Sequence, residues 1–360
     1  MGTSLLTNQS AMTALQTLRQ VGKSLDTTQQ RVSTGLRINQ ASDNTAYWSI
    51  SSMMRSDRNA LSAVSDAMSL GKSQVDVANA TIEQSKGYLD NIQKSLATVY
   101  EKGDGDVQKI QADIKGNINN IASSVQSASL AEKNILANDG QNVRIAGAYR
   151  REGSSVYVDM IDVGGANLNF AKIGSDGAAD LSEGMLKGVF GKSNLDLKTL
   201  DGDIVAAQKE LADANKANDQ DAIDAAETKL ATAQKALTDG LAANGGYTVS
   251  DFVNADLSGI NAATLETVVK HLQGVTTEAT SNVVTAGSEL GAVKNQIDGQ
   301  IDYVGKLMDS IDKGIGSLVD ADMNAESARL ASLQVQQQLG IQALSIANQN
   351  SQNILSLFRN

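Results

Sequence analysis

Residues 61–99 read LSAVSDAMSLGKSQVDVANATIEQSKGYLDNIQKSLATV, and their periodicity decides the fold. Leu61, Val64, Met68, Gly71, Val75, Ala78, Ile82, Ser85, Leu89, Ile92, Leu96 and Val99 recur at alternating three- and four-residue steps without a slip. That spacing lines one face of an α-helix and predicts a coiled-coil seam. Only Gly71 and Ser85 are not apolar, and both are small. Towards the N-terminus, Ala11, Ala14, Leu18, Val21, Leu25, Thr28 and Val32 keep the same steps until Gly35 interrupts them. Ser42 and Asp43 then offer capping oxygens to the long helix. Downstream, the turn Gly103-Asp104-Gly105-Asp106 stops it. A third helix is expected to bury Ile110, Ile114, Ile121, Val125 and Ile135 and to end at Asn138-Asp139-Gly140.

Residues 141–173 change period. Val143, Ile145, Val156, Val158, Met160, Ile161 and Val163 form β-rich runs separated by Arg150-Arg151-Glu152-Gly153, which predicts a hairpin. Residues 174–200 are rich in Gly and Asp and read as irregular. Ile204, Ala207, Leu211 and Ala214 form one helical stripe, and Ile223, Ala226, Leu230, Ala233 and Leu237 another. The break at Asn218-Asp219 predicts an antiparallel pair, followed by a loop-rich return over 241–261. A long helix is expected from about Ala262 to about Ile315, carrying Leu272, Ala279, Val283, Ala286, Leu290, Val293, Ile297, Val304, Leu307 and Ile311, and loosened by Gly314 and Gly316. A last helix from Asp322 to about Leu357 carries Leu330, Leu333, Leu344 and Ile354 among Gln334, Gln336, Gln337 and Gln338, a weaker seam than the others.

Composition narrows the function. The 360 residues contain no cysteine and no proline, where average usage would supply about eighteen prolines. Helices can therefore run unbroken, and disulfide and thiolate chemistry are excluded. A net charge of −11 argues against electrostatic binding to nucleic acid or anionic lipid. No stretch is apolar enough for membrane insertion, and the first residues lack the pattern of a cleaved signal peptide. The only histidine, His271, has no second histidine with which to share a metal and reads as a partly exposed helix residue. The Asp-Gly-Asp sets at 104–106 and 201–203 lack the full calcium-loop spacing and read as turns. Gly-Lys-Ser at 22–24, 71–73 and 191–193 would need an earlier glycine where Thr17, Asp66 and Leu186 stand, so none is a phosphate loop. No nucleophile elbow is present. Tyr47-Trp48 reads as an anchor packing a helix junction, with a binding role for Trp48 as the alternative. No catalytic residue, cofactor site or metal site emerges, and the chain reads as no enzyme.

The two ends share a character. The first and last forty or so residues are helix-patterned, rich in Asn and Gln and poor in charge. Such seams can be buried against copies of the same chain without stranding ions, and they carry too little apolar surface to offset their own ordering entropy. They suit a part that polymerises. The expected fold is mainly α: a discontinuous long-helix coiled-coil bundle formed by N- and C-terminal segments, with a β-hairpin region and a small variable α/β insert. The expected division is a terminal coiled-coil domain (1–42 and 321–360), a helical bundle with the hairpin (43–173 and 262–320) and a surface-exposed insert (174–261). Candidate subunit-packing residues are Leu15, Leu18, Val21, Leu25, Val32, Leu330, Leu333, Leu344, Ile354, Leu357 and Phe358. Candidate bundle-packing residues are Leu61, Val64, Met68, Ile82, Leu89, Ile92, Leu96, Leu290, Val293, Ile297, Val304 and Ile311.

Two blocks, QRVSTGLRINQASDNTAYWSISSMMRSD at 30–57 and LVDADMNAESARLASLQVQQQLGIQALSIANQNSQNILSLFR at 318–359, resemble the terminal signatures of bacterial flagellins. The opening SLLTNQSAMTALQTL fits as well, and AYWSI is similar to flagellins of soil-dwelling alphaproteobacteria. The resemblance implies a structural subunit of the extracellular flagellar filament, the motility propeller, exported unfolded through the type III channel without a cleaved leader. The implied partners are the chain itself, sister flagellins, an export chaperone, the export apparatus, the filament cap and the hook–filament junction proteins. It also implies two immune-recognition segments. One, for plant receptors, matches Gln30–Ser51. The other, for the flagellin-sensing Toll-like receptor, matches Leu89–Thr98, where Asn91, Gln93 and Lys94 replace the arginines and glutamate of the recognised form and weaken the match. The alternatives are a hook–filament junction protein with related termini, a secreted filament with an enzymatic insert, and a cytosolic signalling coiled coil.

Overall fold

Long helices account for most of the chain because the apolar steps described above persist for tens of residues with no proline to interrupt them. A computed structural model describes residues 8–99, 104–152, 155–173, 178–243 and 246–357. In chain order the elements are α1 (Gln9–Thr34), α2 (Thr45–Thr98), α3 (Asp104–Ser127), β1 (Ser129–Leu130), β2 (Lys133–Asn134), β3 (Asn142–Glu152), β4 (Ser155–Gly164), β5 (Lys172–Ile173), β6 (Ala179–Asp180), α4 (Lys187–Phe190), α5 (Leu197–Ala217), α6 (Gln220–Ala242), α7 (Val249–Asn254), α8 (Ala262–Val319) and α9 (Met323–Leu357). They group into two compact units. One holds the residues up to Ala63 and from Val304 onward, and the other holds Val64–Tyr303.

In the first unit, α1 starts on the cap Asn8, whose side chain accepts from the Ala11 N–H at 3.0 Å, and stops at Gly35 in the left-handed conformation (φ 74°). The chain after Gly35 runs beside the segment linking α8 to α9. Leu36 bridges Asp320, the Ala321 N–H donates to the Gly35 carbonyl at 2.9 Å, and the Arg37 side chain donates to the Leu318 carbonyl at 2.9 Å. Ile38, Ile315 and Val319 form a small core beneath these links, with Met54 and Ile311 against it. Capping of α2 differs from expectation by one residue. The Asn44 side chain accepts the Tyr47 N–H at 3.2 Å, while the Asp43 carboxylate is taken by the Asn39 and Gln40 N–H groups, which hold it below the usual carboxylate range.

In the second unit, α2 and α8 run antiparallel. Lys72 pairs with Asp298 and Lys294 with Asp76, Gln93 donates to Thr277 at 3.1 Å, and Gly287 lies against Ile82. Each step forward on α2 is matched by an equal step back on α8. All twelve residues of the 61–99 series are buried, and a fully buried aliphatic side chain contributes about 1.5–3 kcal/mol. The ion pairs are half-exposed and add little to that.

The hairpin is antiparallel β3–β4, with Ile145 opposite Ile161, Val143 opposite Val163 and a bulge at Gly147. Its inner residues Ile145, Ile161 and Val163 are buried. Gly71 explains the small residue in the seam: a Cβ there would lie 2.1 Å from Ile145 Cγ2, so the glycine opens the place where β3 docks.

Three local expectations are corrected. Helix α3 ends at Ser127, not near residue 138, and Ile135 is buried from a loop. Ala131 and Glu132 take left-handed conformations, and the Asn134 side chain donates to the Val125 carbonyl at 2.7 Å while accepting from the Leu136 N–H at 2.9 Å. One asparagine thus ends the helix and shapes the loop, without a glycine to announce it. Gly314 and Gly316 do not loosen α8, which stays helical to Val319. Neither Asp-Gly-Asp set is a turn: 104–106 open α3, and 201–203 lie inside α5, where buried Asp201 accepts the Asn261 N–H at 3.2 Å and ties α5 to the start of α8.

This unit also holds α5 and α6, packed as an antiparallel pair around left-handed Asn218 (φ 53°), and the short α7. A capping box between Thr248 and Asp251 starts α7, and its end is held by buried Gln111 of α3, which donates to the Phe252 carbonyl at 2.6 Å and the Ala255 carbonyl at 3.0 Å. Gln111→Leu strands both carbonyls and is expected to lower stability by about 2–3 kcal/mol. An unchanged urea midpoint would show that this clasp contributes nothing.

Candidate functional site

The candidate functional surface is the pair α1 and α9. The less exposed side of α1 consists of Ala11, Ala14, Leu18, Val21, Leu25, Thr28 and Val32, with Thr28 buried. On α9 it consists of Glu326, Leu330, Leu333, Gln337, Gly340, Leu344 and Ala347, again at three- and four-residue steps. The helices are antiparallel. Asn8 donates to the Ala347 carbonyl at 3.0 Å, Leu18 sits where a Cβ of Gly340 would be 3.1 Å away, and Arg31 pairs with Glu326 at 3.0 Å. Threonine, glutamine, glycine and alanine make the seam narrow, and Leu333 is its one buried leucine.

The opposite side of α9 is also apolar and is bare. Val335, Leu339 and Ile346 are exposed, the last by 65%. Met12 and Leu15 are exposed on α1, so Leu15 lies outside the covered seam. A helix with apolar side chains on two sides has more to bury than one partner can cover. The sequence signal for the second stripe was present at Val335, Leu339, Gln342 and Ile346, hidden by the intervening glutamines. Phe358 lies outside the described residues, as do the side chains of Ile354 and Leu357.

Of the bundle residues, Leu61, Val64, Met68, Ile82, Leu89, Ile92, Leu96, Leu290, Ile297 and Val304 are buried, while Val293 and Ile311 are half-buried. In the 89–98 segment, Leu89 is inaccessible, Gln93 is engaged with Thr277, and Asn91 and Lys94 face solvent. The junction anchor expected of Tyr47-Trp48 is overturned, because both rings are exposed.

No reactive constellation appears among the described residues. No group of three acidic or histidine side chains could hold a metal, and no helix is long and apolar enough to cross a membrane. His271 is half-buried on α8. Burial depresses its pKa, a hydrogen bond to the Tyr247 backbone opposes that, and its Nε2 has no hydrogen-bond partner. The Tyr247 phenol is pushed up by burial and by Asp251. The Gly191-Lys192-Ser193 run is structural: the Gly191 carbonyl accepts from Thr248 Oγ1 at 2.6 Å and the Ser193 N–H donates to Asp251 at 3.0 Å.

The family model for the bacterial flagellin N-terminal helical region matches residues 5–141, and that for the C-terminal helical region matches 273–358. A flagellin of Bartonella bacilliformis is 49% identical across 96% of this chain and 97% of its own length. The chain belongs to the bacterial flagellins. This flagellin is also similar to a flagellin of Brucella melitensis (39% identical, covering 99% of each chain) and to flagellin A of Rhizobium meliloti (36%, covering 99% and 100%). The stretches that the two family models match include α1 and α9, the helices with the bare apolar sides.

Proposed function

We propose that this flagellin is a structural subunit that polymerises into the helical, extracellular filament of the bacterial flagellum. The observation that carries the reading is the second apolar side of α9, lying in a stretch from Leu330 to Leu357 that holds no charged residue. Heterologous contacts that do not close generate filaments, and this surface is free to make them. Each contact is weak, and the lattice repeats it.

The finer assignments rest on family membership and on the burial pattern. Residues 1–42 and 321–360 form the terminal coiled-coil core, 43–173 with 262–320 the bundle and hairpin, and 174–261 the outer insert. Leu18, Val21, Leu25, Val32, Leu330, Leu333 and Leu344 set the geometry of the terminal pair, and Leu15 joins the subunit contacts. The chain acts as no enzyme. Besides itself it meets sister flagellins, an export chaperone, the export apparatus, the filament cap and the hook–filament junction. Recognition through the 89–98 segment is weak, since Asn91 and Lys94 are its outward groups.

The test is electron microscopy of filaments sheared from cells, with mass spectrometry of the same material. This chain should recur along the shaft. Copies confined to the filament base would identify a junction protein instead, and a chain found only in the cytosol would refute the reading.

A further inference from the structure

Tyr247 carries a hydroxyl with nothing to bond. The residue is 2% exposed, and its Oη is buried without a hydrogen-bond partner among the described residues. Burial and the nearby Asp251 carboxylate push the phenol's pKa up, so it stays a protonated donor. A buried donor left unpaired is costly, and nearly all such groups in folded proteins find a partner. The frame around it is fixed. The Tyr247 N–H donates to the Leu241 carbonyl at 3.0 Å, His271 bonds its backbone, and the capping box of Thr248 and Asp251 follows directly.

Tyr247 lines a cavity of about 340 Å³ between the residues leading into α5 and the helix α7. That is the small end of ligand pockets, which run from about 300 to 1,000 Å³. Other polar atoms of its wall have capacity to spare. Oδ2 of Asp251 accepts from the Ser193 N–H, the Thr248 N–H and Thr248 Oγ1, while its Oδ1 accepts nothing from the described residues. Ser193 Oγ receives the Leu195 N–H at 3.5 Å and keeps its own proton to give. Asn254 donates to the Ser250 carbonyl at 2.7 Å and keeps its Oδ1 open. Two donors and two acceptors thus line one small cavity, beside apolar Leu195 and Leu197.

Chemistry narrows the ligand. Asp196 and Asp256 also line the cavity but are engaged, the first by the Lys198 and Thr199 N–H groups and the Thr199 hydroxyl, the second by Lys198 and Ser258. No three acids among the described residues are placed to hold a metal. Three aspartates against one lysine leave the cavity negative, which repels acidic ligands. The complement is a compact ring that accepts and donates hydrogen bonds at several points and carries no negative charge.

We propose that the cavity between residues 193–198 and α7 binds one pyranose ring of a neutral or amino sugar. Tyr247 Oη and Ser193 Oγ donate to its oxygens, and Asp251 Oδ1 and Asn254 Oδ1 accept from its hydroxyl or ammonium groups. The site lies within one chain and does not depend on the filament reading.

The experiment uses the full-length chain as monomer, with glucose, galactose, mannose and glucosamine as probes and glucuronate as the acidic control. In saturation-transfer NMR at millimolar concentration, at least one of the four probes should receive magnetisation from the protein and shift the Leu195 methyl resonances, while glucuronate receives none. Tyr247→Phe should weaken that binding about five- to tenfold. Its urea midpoint should equal or exceed the native one, because the change removes an unpaired hydroxyl. Transfer to none of the four probes, equal transfer to glucuronate, or an affinity unaltered by Tyr247→Phe would overturn the site. A lower urea midpoint for Tyr247→Phe would overturn it as well, by showing that the hydroxyl already has a partner.

Discussion

Replacing Gly71 with alanine is expected to destabilise the monomer, although the same change in an open helix stabilises it. Glycine inside a helix costs about 0.5–1 kcal/mol relative to alanine. Gly87 lies on the same helix with nothing within 4 Å of a would-be Cβ, so Gly87→Ala should gain that amount. At Gly71 the added carbon would lie 2.1 Å from Ile145 Cγ2 and 3.1 Å from Ile145 Cβ. Real contacts do not close to the first of these distances, so β3 must lift away from α2. Overpacking of this kind costs about 1–3 kcal/mol, which exceeds the propensity gain over most of that range. The loss should appear as a lower urea midpoint, and Gly71→Ala with Ile145→Ala should recover part of it. If Gly71→Ala were as stable as Gly87→Ala, the hairpin would not dock through this notch.

Leu333→Asp is expected to abolish filaments while secretion continues. Leu333 is the buried leucine of the α1–α9 seam, 8% exposed. An unpaired carboxylate there costs about 3–5 kcal/mol, and even about 3 kcal/mol corresponds to more than a hundredfold in an association constant. A filament held by weak repeated contacts cannot absorb that loss at every subunit. On the proposed export route the seam forms only after secretion, so the protein should reach the medium as monomer. Electron microscopy of cells, together with immunodetection in the culture fluid, checks both halves. Filaments of normal length would exclude the seam from assembly.

What could be read in advance followed from how local each cause was. Every member of the 61–99 series is buried, because a heptad pattern encodes its own partner face. The hairpin and the α5–α6 pair were legible for the same reason, through a change of period and an Asn-Asp break. The end of α3 was not, since the capture of the Val125 carbonyl by Asn134 is a side-chain event with no glycine or proline to mark it. Gly314 suggested a weak point, yet it lies where a Cβ would be 2.6 Å from Met54 Cε, so close packing holds the helix there. Asp201-Gly202-Asp203 looked like a turn because its purpose, holding Asn261, lies sixty positions away. Trp48 was misjudged because an aromatic residue beside a cap fits an internal anchor and an external contact equally well. Only burial separates the two, and periodicity cannot supply it.

The crossed pairs Lys72–Asp298 and Lys294–Asp76 place one cation and one anion on each helix, one turn apart. If α2 slid one turn along α8 in one direction, Lys72 would confront Lys294; in the other direction, Asp76 would confront Asp298. The first error meets only like charge; the second sets Asp76 on Asp298 while Lys72 reaches Asp302, so it is opposed less. A propeller shaft carries torque, and a subunit whose two longest rods slipped under twist would soften it. The four side chains key the rods against that slip at almost no cost in folding energy.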